Sequence, residues 1–217
     1  MMLRSCIPWF IPIAVTLVSF ASGVKKVAAQ TVFPFEAFYD TDVILRPIEN
    51  TDVSIATVSG FNPDAPYGLT NFTSASNYSR FDPAINGFRF FADPARVGLS
   101  GFPTGVDTFF GSGDDRIFGS SNAIAIIDPI TNTLNGTGVI NITGGAGRFS
   151  GATGTLNFNE SESLDQDPSG PLRGRAFISG SFVVPQQVPE SGNTATLVGI
   201  GAITTGFLLR RRLKSAI

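Results

Sequence analysis

Histidine is absent from the 217-residue chain, and cysteine occurs once, at Cys6. These absences exclude Ser-His-Asp and Cys-His nucleophile systems, histidine-bearing zinc sites and disulfides. Lysine is missing between residues 31 and 189, where 8 Arg are set against 16 Asp plus Glu, a net charge of about −8. An acidic body without lysine cannot neutralise a row of phosphates, so nucleic acid is not an expected partner. Helical periodicity is lacking there too, and no Walker lysine follows the glycine-rich stretches, so no nucleotide or other cofactor is expected.

The cations missing from the body sit at the ends: Arg4, Lys25, Lys26, Arg210, Arg211, Arg212 and Lys214. Residues 1–29 read as an export signal, with Arg4, an apolar run over 7–20 and a small-residue cleavage site at Val27-Ala28-Ala29. At the other end, residues 195–209 are uncharged. As a helix they span roughly 22 Å, short for a hydrocarbon core of about 30 Å. Arg210, Arg211 and Arg212 would then stay cytoplasmic and leave the body outside.

Val188-Pro189-Glu190-Ser191, followed by that apolar run and the terminal arginines, resembles the PEP-CTERM sorting signal, with Ser191 where a second proline is usual. The resemblance implies transient anchoring in the inner membrane by a C-terminal helix and processing by an exosortase-like membrane enzyme. It also implies a final place at the cell surface or beyond, associated with extracellular polysaccharide. The export machinery is the other implied partner.

Between the ends, runs rich in Phe, Val, Ile and Thr alternate with Gly, Pro, Asn and Asp clusters, as strands and turns do. Strands are expected at 33–39, 42–46, 53–58, 69–73, 87–92, 106–110, 122–127, 138–143, 155–160 and 172–184, with long loops at 62–68 and 93–105. Seventeen phenylalanines between 31 and 189 can supply a core without disulfides. The stretch GVINITGGAGRFSGATGTLNF, residues 138–158, reads as a hairpin. Ile140 and Ile142 alternate with polar residues, Gly144-Gly145-Ala146-Gly147 makes a tight reversal, and Phe149 plugs inward. Gly151 and Gly154 then permit a kinked second arm.

The string Gly144-Gly145-Ala146-Gly147-Arg148-Phe149-Ser150-Gly151-Ala152-Thr153-Gly154 is similar to the glycine-rich hairpin of the allene oxide cyclase and dirigent barrel families. There its role is structural. The expected fold is therefore all-β: a small antiparallel β-barrel over residues 30–187, between a signal peptide at 1–29 and a sorting segment with a transmembrane helix at 188–217.

Three further clusters invite chemistry. Residues 111–119, GSGDDRIFG, look like one turn of a calcium-binding nonapeptide repeat, which makes Asp114 and Asp115 weak metal candidates beside the plainer reading of an acidic turn. Glu160 and Glu162 lie two apart, the spacing of a carboxylate pair on one strand face, but acidic residues running into a polar loop are expected to be solvated, as are Asp40 and Asp42. Asn-x-Ser/Thr sequons stand at Asn71, Asn77, Asn135, Asn141 and Asn159. The leading expectation is an exported, noncatalytic structural or binding protein. The alternative is a cyclase or isomerase of the barrel family acting on an apolar small molecule, with interior acids and arginines such as Arg89 or Arg148.

Overall fold

The computed structural model describes residues 30–167 and 170–186. The expected leader and the sorting segment, with Val188, Pro189, Glu190 and Arg210 to Arg212, lie outside the described residues. Among the described residues no helix is long and apolar enough to cross a membrane.

The chain is all-β. Nine strands follow one another: β1 Gln30–Pro47, β2 Val53–Phe61, β3 Asn71–Asp82, β4 Gly87–Phe91, β5 Val106–Phe110, β6 Arg116–Asp128, β7 Thr133–Ala146, β8 Thr153–Ser163 and β9 Leu172–Pro185. All pair antiparallel, in the order β2-β1-β9-β8-β7-β6-β4-β3-β5. β2 also pairs with β3, and β5 with β6, so the sheet closes into a ring. Short β4 and β5 share one place in it. Each lies between β3 and β6, β4 along Tyr78–Asp82 and β5 along Asn71–Ala75 of β3.

The two strands expected at 33–39 and 42–46 are one, because Asp40-Thr41-Asp42 keeps the alternation instead of breaking it. Thr41 is 3% exposed and faces in, while both aspartates face out. They meet Arg175 and Arg173, their partners across β9, at 3.6 and 3.4 Å. The period of two outweighs the low strand propensity of aspartate because the whole inner face of β1 is buried. The second half of β3, SASNYSRFD, lies outside the expected strands. Ser76, at φ 60, is its irregular point, and there the pairing with β2 slips.

One end of the ring is sealed by aromatic rings. Phe33, Phe149 and Phe182 stand 5.2 to 5.3 Å apart between centroids, and Tyr67 closes over them at 5.4 Å from Phe33. Edge-to-face and stacked pairs of this kind add to the burial itself. The hairpin that supplies Phe149 differs from its expected form. Gly144 and Gly145 still belong to β7, and the chain reverses later, through the short 3-10 turn Gly147–Phe149. Gly147 and Gly151, at φ 62 and 75, take the left-handed conformations that the reversal needs. Gly154 lets β8 lie close to β9, since a Cβ there would stand 2.5 Å from the Ser181 carbonyl oxygen.

A second layer follows inward. Phe35, Tyr39, Phe72 and Phe109 pack with centroids 4.7 to 6.1 Å apart, and the buried Tyr39 hydroxyl donates to the Leu69 carbonyl at 2.6 Å. A smaller cluster of Val53, Tyr78 and Val97 lies apart from this core; the loop between β4 and β5 passes over it, and its Pro103 carbonyl accepts from the Tyr78 hydroxyl at 2.6 Å.

Candidate functional site: a carboxyl-lined cavity

Past the second aromatic layer the filling changes. β8 buries Leu156, packs Phe158 against the core and, with period two, turns Glu160 and Glu162 to the same side. Glu162 is 1% exposed and neither carboxyl oxygen has a hydrogen-bond partner. Glu160 is partly buried and lies opposite Gly136 of β7. A Cβ on Gly136 would stand 2.6 Å from both Cγ and Oε1 of Glu160, so glycine leaves the space that this side chain occupies. The expectation that this pair is solvated is overturned. Three places round the ring, β5 turns Phe109 and Asp107 inward, and Asp107 is also 1% exposed with both oxygens unpartnered.

Glu160 and Glu162 line a cavity of about 40 Å³. Val43, Val58, Phe90, Leu134, Phe158 and Ile178 give it apolar walls, and Ser74, Asn77, Ser121, Glu160 and Glu162 are its polar points. Asp107 stands beside Ser74, its cross-strand partner, where β4 has ended and β5 begun. Ser74, Ser121 and Asn77 turn toward the Asp107 carboxyl without closing a hydrogen bond of ordinary geometry. The Asn77 amide instead donates to the hydroxyls of Ser74 and Ser121, and its own Oδ1 is left without a partner.

Burial disfavours the charged form of each acid. It pushes Asp107 up to about 6, against the smaller opposing effect of Ser74, Ser121 and Asn77. Glu160 is raised to about 7 by burial and then by the charge of Asp107; Glu162 is raised to about 8 by burial and then by Glu160. Near neutrality the group therefore holds both carboxylate and carboxylic acid.

Among the described residues no arginine is paired with these acids. Arg89 and Arg148, named above as interior candidates, are exposed; they pair with Asp82 and Asp115, each at 2.7 Å. Asp115 also accepts from the Arg148 backbone N–H at 2.8 Å, which commits it to joining the turn before β6 to the β7–β8 hairpin. Asp114 is exposed in that turn. Among the described residues no group of three or more Asp, Glu, Cys or His is arranged to hold a metal ion, the cavity acids included. The structural hairpin of Gly144 to Gly154 lies at the sealed end, away from the cavity.

The chain matches no protein-family model, no curated protein and no solved structure. Function therefore has to be argued from the cavity. A signal for it was present in the sequence: Glu160 and Glu162 share parity with Leu156 and Phe158, and Asp107 shares parity with Phe109. Chemically, the arrangement can accept hydrogen bonds from a donor-rich ligand, balance a positive charge, or release a proton near neutral pH.

Proposed function

We propose that this is an exported β-barrel protein of allene oxide cyclase/dirigent-like form that binds a small ligand in its carboxyl-lined cavity and acts without catalysis at or beyond the cell surface. The leader and PEP-CTERM-like tail support the export route, and the link to extracellular polysaccharide follows from the same resemblance. Support for the barrel comes from the closed pairing and the glycine-rich hairpin. A barrel of eight positions has an interior that side chains can fill or that can hold one small ligand.

One observation carries the binding reading. Glu162 is buried and has no partner for either oxygen, yet faces a cavity. A buried, unpaired carboxyl destabilises a fold by several kcal/mol when charged and by about 1–3 kcal/mol when merely unsatisfied. Such a group without structural return is expected where a ligand completes it. The test is a thermal-shift panel of small cationic, neutral and anionic compounds on wild type and Glu162→Gln. Stabilisation of wild type that the variant loses supports the reading; a panel with no hit, or hits indifferent to the variant, rejects it.

A second reading has its own support. Glu160 and Glu162 keep protons near neutral pH inside apolar walls, as a general acid for cyclisation or isomerisation would. Product formation from an apolar substrate, lost in both Gln variants, would favour it over simple binding.

A further inference from the structure

We infer that the cavity takes a small primary ammonium ion, its three N–H groups directed at Glu162, Glu160 and the free Oδ1 of Asn77, with the Asp107 carboxyl adding negative charge behind Ser74 and Ser121. This rests on the binding reading above and names its ligand class.

The atoms of Glu162, Asp107 and Asn77 left without partners at this end of the interior are all oxygens. Both oxygens of Glu162, both of Asp107 and Oδ1 of Asn77 are buried without partners, and Asn77 is 7% exposed. Asn77 adds an acceptor that carries no charge, since its amide N–H groups donate to Ser74 and Ser121 and leave Oδ1 free. A ligand that satisfies this set must bring donors. An ammonium brings three and no acceptor.

Charge points the same way. The titratable groups lining the cavity are Glu160 and Glu162 from β8, and Asp107 from β5 lies behind Ser74 and Ser121, close enough to act on Glu160. Tyr39 of β1 is tied to the Leu69 carbonyl, and burial holds its phenol well above the usual range. Of the arginines on these strands, Arg80 pairs with Asp52, Arg89 with Asp82, Arg173 with Asp42 and Arg175 with Asp40, and Arg46 and Arg116 are exposed on the outer face. An anion would meet only carboxyls. A divalent metal needs about six oxygens at close range, and the apolar walls deny it them.

Size bounds the rest. The cavity of about 40 Å³ has room for about three waters, so an ammonium head with one or two carbons replaces them. The alkyl part would lie against Val58, Leu134 and Phe158. Tetramethylammonium, bulkier and without donors, is excluded.

The test is calorimetry on the full-length protein with methylammonium, against tetramethylammonium, potassium and calcium chlorides. One-to-one binding at a Kd of about 1 mM or tighter is expected. Affinity should rise about tenfold from near pH 6 to near pH 8.5, with proton release seen as buffer-dependent heat, because ligand and acid must be charged together. Glu162→Gln and Asp107→Asn, each checked for folding by circular dichroism, should each weaken binding at least about tenfold. No saturable heat, equal binding of tetramethylammonium, or indifference to both variants overturns the inference. If a neutral compound from the thermal-shift panel binds in a Glu162-dependent way while no ammonium does, this inference fails and the cavity reading stands. If neither binds, both fail.

Discussion

Raising the pH from about 5 to about 8 should loosen this protein, and the size of the effect follows from the three interior acids. Each binds its proton more tightly in the folded chain than in the unfolded one. The folded state therefore holds more protons throughout that range, and stability falls as pH climbs through it. Asp107 moves from an ordinary 3.8 to about 6, about 3 kcal/mol in all, of which roughly half is lost above pH 5. Glu160 and Glu162 shift in the same direction and titrate as a pair, extending the loss to about pH 8. For a domain of this size 1 kcal/mol moves Tm by about 2–4 °C, so Tm should fall by at least about 6 °C. Thermal unfolding followed by circular dichroism at half-unit pH steps measures it. Glu162→Gln should flatten the upper part of the curve and be the more stable protein near pH 8. A Tm that is level or rises over this interval, or a slope unchanged in both Asp107→Asn and Glu162→Gln, refutes the reasoning.

Three other outcomes follow from the same geometry. Phe149→Ala removes a fully buried ring from the aromatic seal and should cost about 3–5 kcal/mol, read from chemical denaturation. Gly136→Ala would place a methyl 2.6 Å from Glu160; it should destabilise by about 1–3 kcal/mol and alter the pH slope, whereas the same change at exposed Gly113, with open space around it, should leave the slope untouched. Asp115→Ala breaks a half-exposed pair with Arg148 and should cost under about 1 kcal/mol. Millimolar calcium should leave the melting of wild type and of this variant unchanged.

Most strands were legible because their inner faces alternate: β5 runs over the same five residues as expected, and β8 and β9 differ only at their ends. The sequence misleads where polar residues keep the period. Asp40 and Asp42 looked like a break in β1, but each has an arginine across the β9 pairing. Ser and Asn hid the second half of β3, although Asn77, Tyr78 and Ser79 are buried there. The cavity acids were missed for a related reason. An acid next to a polar loop is usually solvated, and only the closure of the ring, a contact between strands distant in sequence, turns the parity of Glu162 into burial. Phe149 was readable as a plug because a large ring amid glycines has few other uses, whereas the place of the reversal depended on Gly147 and Gly151, not on Gly144 and Gly145.

The claim beneath all of this is that Asp107, Glu160 and Glu162 form one water-poor acidic group inside the ring. Carbon-detected NMR titration of the side-chain carboxyls, assigned with the single Asn and Gln variants, measures it directly. Three linked midpoints are expected between about 6 and about 8, each shifting when a neighbour is replaced. Independent midpoints near the ordinary value of about 4 would contradict it.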